Sequence, residues 1–314
     1  MRTSVQNSPE KAFREPRSTG ESEPALPCPR TSTTRESSRV VNGTRGDGVN
    51  RDVSPALPSV SPRLLRAFSA YARWYIARHI HSIRISRAVA IPNVGGLPLV
   101  IYVNHASWWD PLVCLYLQNE LFSRRNAYAP MDAVALKKYR FFAKIGFFGV
   151  EQNARAGAAE FMRKAKAVLS QPSSILWLTP QGRFADVRER PVRFKPGLGH
   201  LPQSTGRAAY VPLALEYTHW EERKPEVLAR FGPIEIFGGP THEHAIKDMD
   251  WTRHFERQLE VTQDALALEA QRRVPADFNV ILRSKSGTGF IYDAWRALRS
   301  SLAGENFQRE HGTL

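Results

Sequence analysis

A histidine and an aspartate stand with four residues between them in NHASWWD, residues 104–110. The apolar run 97–103 before them reads as a strand, and a helix-like pattern resumes at Trp108. In α/β folds chemistry gathers where strands end. If the chain turns at His105, Asp110 lies about one turn into the following helix and reaches back to the imidazole. A carboxylate on one ring nitrogen fixes the tautomer and leaves the other nitrogen to take a proton from a hydroxyl. Without a nucleophilic Ser or Cys beside it, such a pair suits direct transfer, in which the hydroxyl is deprotonated as it attacks an activated carbonyl. The bland alternative is an N-terminal helix aspartate beside a surface histidine.

The rest of the chain must position that pair. Strands are expected at 97–103, 175–178, 209–215 and 229–236, and helices at 108–122, 154–170 and 250–273. In the last helix Phe255, Leu259, Thr262 and Leu266 form one stripe. This alternation predicts an α/β fold: a single domain over 61–305, with a mixed, mostly parallel sheet flanked by helices and amphipathic helices at its N- and C-terminal ends. Residues 1–60 read as a disordered low-complexity tail with one aromatic residue, and 306–314 as a short second tail.

The formal net charge is +14 in 314 residues, but the first sixty residues carry nine Lys/Arg against seven Asp/Glu. The excess positive charge therefore belongs to the folded part and points to an anionic partner. Ser61 and Pro62 open a helix expected over 62–87, with Leu65, Phe68, Ala72, Tyr75, Ile76, Ile80 and Ile83 on one face. Arg66, Arg73 and Arg84 border that face, with Arg63 and Arg78 further round. This is the pattern of a helix lying in a lipid interface, and equally of an amphipathic core helix. The segment 289–304 repeats it, with Ile291, Trp295, Leu298 and Leu302 opposite Arg296 and Arg299. Two such helices favour peripheral attachment to an anionic membrane surface. No run of about 18 apolar residues and no apolar leader occur, so a peripheral protein on the cytoplasmic face is expected. The two cysteines, Cys28 and Cys114, are read as reduced thiols.

The chemistry-bearing blocks resemble those of the lysophospholipid acyltransferase family, the glycerolipid acyltransferases that include 1-acylglycerol-3-phosphate acyltransferases. NHASWWD (104–110) is similar to that family's N-H-x-S-x-x-D block. IGFFGVEQ (145–152), LWLTPQGRF (176–184) and YVPLAL (210–215) resemble its next three blocks, in order, and FKPGLGHLP (194–202) resembles the Lys-x-Gly segment between the last two. The resemblance implies acyl transfer from acyl-CoA or acyl-ACP to a lipid hydroxyl, in phospholipid or other lipid biosynthesis, with no bound cofactor and no metal. It implies His105 as general base, Asp110 as its orienting carboxylate, and Asn104 and Ser107 holding the turn. Pro180, Gln181, Gly182 and Arg183 would line the acceptor side, and backbone N–H groups or Arg183 would steady the oxyanion.

Two departures stand out. Gln181 occupies the acidic position of the third block, followed by Arg183-Phe184, and Gln152 occupies the arginine position of the second, with Arg155 three residues on. A lipid hydroxyl without a bare phosphate therefore stays open as acceptor. Lys195, Gly197 and Gly199 form either a cradle for a donor's phosphates or a turn that starts a helix. Trp108 and Trp109 wall an acyl groove or pack the core. His242, His244 and Asp248 read as a solvated loop rather than a metal site. The alternatives are an inactive lipid-binding scaffold of the same fold and, further off, a basic nucleic-acid-binding protein. No nucleic-acid motif is present, so no nucleic-acid partner is expected.

Overall fold

The structure, a computed structural model, describes residues 57–151, 154–238 and 249–284. The expected segment 289–304 and the loop with His242, His244 and Asp248 lie outside these residues. Helix α1 (Pro62–His79) starts on Ser61, whose hydroxyl accepts from the Leu64 amide at 3.4 Å, with Pro62 as its first residue. Strand β1 (Ser82–Ser86) follows it. Then come β2 (Leu99–Val103), α2 (Asp110–Leu121), β3 (Asn126–Asp132), α3 (Ala133–Lys138) and β4 (Phe147–Val150). The second half runs α4 (Arg155–Leu169), β5 (Ser174–Leu178), α5 (Leu201–Ser204), β6 (Ala208–Thr218), β7 (Glu226–Phe231), β8 (Glu235–Phe237), α6 (Trp251–Arg272) and β9 (Phe278–Arg283).

The strands form one sheet in the order β4-β3-β5-β2-β6-β7-β1-β9, with β8 also paired to β6. Five pairings are parallel (β4-β3, β3-β5, β5-β2, β2-β6 and β7-β1), and β6-β7, β1-β9 and β6-β8 are antiparallel. This is the mixed, mostly parallel α/β sheet that the alternation of patterns predicts. Strand β2, LVIYV, is apolar at every position because helices cover both of its faces. Leu99, Ile101 and Val103 pack with Val113, Tyr116 and Leu117 of α2 and Ile76 of α1. Val100 and Tyr102 face the other way, into a core with Val168 of α4 and Phe255 and Leu259 of α6. The stripe expected on α6 is buried as expected, at Phe255, Leu259, Thr262 and Leu266.

Four local expectations are corrected. The helix expected over 62–87 ends at His79; Ile80 is already extended, and Ser82–Ser86 is a strand between β7 and β9. Ile83 and Ile85 alternate into the core, a period of two that the helical spacing of Ile80 and Ile83 conceals. Arg84 is consequently buried. It pairs with Glu226, which also accepts from the Ser82 hydroxyl at 2.7 Å, and its guanidinium lies over the Trp220 ring, so it borders no lipid face. The strand expected over 229–236 is divided into β7 and β8 by Gly232-Pro233, since proline cannot donate to a ladder. Finally, Trp108 and Trp109 precede α2, so Asp110 is that helix's first residue rather than a full turn in.

Candidate active site

Strand β2 ends at Val103, and Asn104 fastens that end to β6. Its Nδ2 donates to the Leu215 carbonyl at 3.0 Å, and its Oδ1 accepts from the Leu215 amide at 2.7 Å. A buried side-chain amide thereby continues the β2-β6 ladder one step beyond the strand. Asn104→Ala removes both bonds and leaves two backbone groups buried and unpaired, a cost of about 1–3 kcal/mol each. We expect a fall in melting temperature of several degrees, measured by circular dichroism; an unchanged melting temperature would show that the two groups find other partners.

His105 follows with its main chain held on both sides. Its amide donates to Gln181 Oε1 at 2.8 Å, and its carbonyl accepts from the Ala185 amide at 2.8 Å. Phe184 lays its ring against the imidazole, centroids 4.3 Å apart. The loop after β5 is thus wrapped around one residue at the end of β2. Ser107 closes the turn: its carbonyl accepts from the Asp110 amide at 3.1 Å, and its hydroxyl from the Trp109 amide at 3.2 Å.

Asp110 is fully buried, yet every charge-bearing atom has a donor. Oδ2 accepts from His105 Nδ1 at 2.8 Å and from the Ser107 amide at 2.9 Å, and Oδ1 accepts from the Tyr217 hydroxyl at 2.6 Å. The N-terminus of α2 adds a favourable dipole worth about 0.3–2 kcal/mol. Burial first, then the Asp110 charge, push the Tyr217 phenol far up, so it donates and does not titrate. The same two causes push up the Cys114 thiol, one turn along α2, which makes it a poor nucleophile. The imidazole is 19% exposed, and its Nε2 has no hydrogen-bond partner among the described residues. With Nδ1 held by Asp110, Nε2 is the ring nitrogen left open.

The remaining residues singled out by sequence divide into two sets. Pro180, Gln181, Gly182 and Arg183 belong to the loop around His105. Gly182 has φ +63°, a conformation that favours glycine, and the Lys195 side chain passes over it. The Lys195 amide also donates to the Pro180 carbonyl at 2.8 Å. Arg183 is exposed and pairs with Glu189. Two residues are not joined to His105 by any described contact: Arg155 is exposed at the start of α4, and Gly197 packs against the Phe161 ring of α4. Gln152 lies outside the described residues. Trp109 is half-buried and stacks on Tyr75 at 5.4 Å, while Trp108 is 63% exposed. Among the described residues no group of three or more His, Cys, Asp or Glu is placed to hold a metal ion.

Sequence reasoning missed Tyr217. The signal was available in YVPLALEYT, where Leu213, Leu215 and Tyr217 alternate on one face and Tyr217 reaches the strand end that carries the chemistry.

A family model described as Acyltransferase matches residues 79–216, a segment that includes every residue of the arrangement above except Tyr217. Among curated proteins none matches. A solved structure similar to this chain is the 1-acyl-sn-glycerophosphate (LPA) acyltransferase PlsC from Thermotoga maritima, at 14% identity and a TM-score of 0.44, over 67% of this chain and 80% of that one.

Proposed function

We propose that this chain, whose residues 79–216 match the acyltransferase family model, moves an acyl group from a thioester, acyl-CoA or acyl-ACP, to the hydroxyl of a lipid. The observation that carries the reading is the 2.8 Å bond from His105 Nδ1 to a buried Asp110 that has two further donors. Nε2 takes the acceptor's proton while its oxygen forms a bond to the thioester carbonyl carbon. The C–S bond then breaks, and the proton passes from Nε2 to the departing thiolate. Asp110 keeps the proton of the resting imidazole on Nδ1 and stabilises the imidazolium formed between these steps. Tyr217 and Ser107 act through Asp110 as positioning residues.

A lipid acceptor fits the surface beside the base. Tyr71, Trp74 and Trp108 are exposed around the half-buried Tyr75 and Trp109, and Arg63, Arg66, Arg73 and Arg78 are exposed on the same helix. Exposed aromatic rings with cations beside them suit an anionic lipid interface, and no described helix is long and apolar enough to cross a membrane.

The test is thiol release from a panel of acyl-CoA and acyl-ACP donors with total membrane lipid as acceptor. Release that requires both donor and lipid, with an acylated lipid found by mass spectrometry, supports the reading. A folded, vesicle-bound protein that is silent with every donor would make it a lipid-binding scaffold instead.

A further inference from the structure

Strands β3 and β4 are adjacent and parallel, so the chain must cross over between them. It does so through α3 and a short 3₁₀ turn, Arg140–Ile145. Asp132 caps α3, its carboxylate accepting from the amides of Val134 at 3.0 Å and Ala135 at 2.9 Å. Ala133 and Leu136 lie over Gly149 of β4, where the missing side chain lets the helix come close. That inner contact decides what faces out: Val134, which is 74% exposed, with Lys137 and Lys138. The 3₁₀ turn repeats the division. Ile145 is buried, while Tyr139, Arg140, Phe141 and Lys144 are exposed.

The segment 133–144, AVALKKYRFFAK, holds four cations and no carboxylate. Lysines interleaved with outward valine, tyrosine and phenylalanine are the composition of a segment that meets a lipid interface. Single exposed apolar residues need no explanation, but a contiguous patch does. Phe141 packs on Phe142 at 4.1 Å and on Phe68 of α1 at 5.5 Å, and Phe68 lies 6.0 Å from the exposed Tyr71. The crossover and α1 therefore share one aromatic patch. Both elements supply its cations: Lys137, Lys138, Arg140 and Lys144 from the crossover, Arg63 and Arg66 from α1.

Position points to the same partner. β3, β5 and β2 are parallel, so α3 leaves the sheet at the edge that carries His105. Two strand spacings separate β3 from β2, roughly 10 Å. α1 spans the same distance, touching the crossover at Phe68 and the residue before Asp110 at Tyr75, which stacks on Trp109. A flat surface that meets both elements thus lies across the edge where the base sits. We infer that the crossover 133–144 is a second contact with an anionic lipid bilayer, its lysines at the level of the phosphates and Val134, Tyr139 and Phe141 among the first carbons of the chains. The inference deepens the lipid-interface reading of α1 and rests on it for the choice of partner.

The test uses the full chain, with α1 untouched. In a Cys28→Ala/Cys114→Ala background, Val134→Cys carries a polarity-sensitive dye, and vesicles of phosphatidylcholine and phosphatidylglycerol in equal parts are added. The expected result is a blue shift of the dye's emission and its quenching by a lipid brominated on the upper part of its chains. Separately, Lys137→Gln/Lys138→Gln should weaken partitioning into these vesicles about tenfold or more at low salt, and the difference should shrink as salt is raised. A thermal melt accompanies each variant. If the chain sediments with vesicles while the dye stays in water, or if the lysine variant partitions like wild type, α1 is the whole attachment and the inference falls. A dye that shifts only with an acidic protein or a nucleic acid overturns it as well. The readings fail separately. A vesicle-bound chain with an unshifted dye removes the second contact alone, a chain that never sediments removes the lipid interface as a whole, and absent thiol release alters neither the dye's shift nor the partitioning.

Discussion

His105→Ala should lower lipid-dependent thiol release by about 10²–10⁴-fold, the usual worth of a positioned general base. That range corresponds to about 3–5 kcal/mol of barrier. The loss should fall on kcat, because the imidazole makes its decisive contact when the hydroxyl gives up its proton, not when the lipid docks. Stability should change far less. Asp110 keeps the Ser107 amide and the Tyr217 hydroxyl, and the main-chain bonds of residue 105 to Gln181 and Ala185 do not involve the ring. The measurement is steady-state thiol release beside a thermal melt. A variant that melts like wild type and releases thiol at the wild-type rate would remove His105 from the chemistry.

The second large effect is expected at Asp110, where Asp110→Asn separates charge from shape. Oδ2 receives two donors, so the amide oxygen must take that side to keep the bonds from His105 Nδ1 and the Ser107 amide. The new amino group then faces the Tyr217 oxygen, which has lone pairs to accept it. Geometry and tautomer survive, while the negative charge that stabilises the imidazolium is gone. Activity should fall on the order of 10²–10⁴-fold. Tyr217→Phe provides the contrast: it removes one donor and keeps the charge, so its loss should stay nearer tenfold. An Asp110→Asn enzyme within a few-fold of wild type would reduce Asp110 to a support for the start of α2.

The contact of His105 with Asp110 was legible because its two members are neighbours in the chain, and a strand-end turn brings such neighbours together wherever it occurs. Its supports were not. Gln181 was visible as a departure from the third block, but its bond to the His105 amide depends on how the loop after β5 folds back, which no local pattern encodes. Tyr217 reads as one more aromatic in an alternating strand; only the β2-β6 pairing places it over Asp110. The fold shows the same division. β2, β5, β6 and α6 announce themselves by long apolar periodicity. β1 was read as helix because Ile80 and Ile83, three apart, continue the stripe of α1, while the alternation of Ile83 and Ile85 is too short to stand out beside it. β3 was missed because Pro130 lies in it, although it pairs on both sides with β4 and β5. β4 is too short, at four residues, to show a period at all.

The partners of the turn are far away along the chain. His105 is held by a residue 76 positions on, Asp110 by one 107 on, and Asn104 by one 111 on. Each of these contacts closes a long loop, and loop-closure entropy makes such contacts late and dependent on the sheet already being paired. A nascent chain therefore carries the histidine and its aspartate long before the contacts that hold them in place can form. Until β6 has emerged and docked, nothing fastens Asn104 or reaches the second oxygen of Asp110. Assembly of the reactive pair thus coincides with completion of the sheet, and an incompletely folded chain has the motif without the machinery.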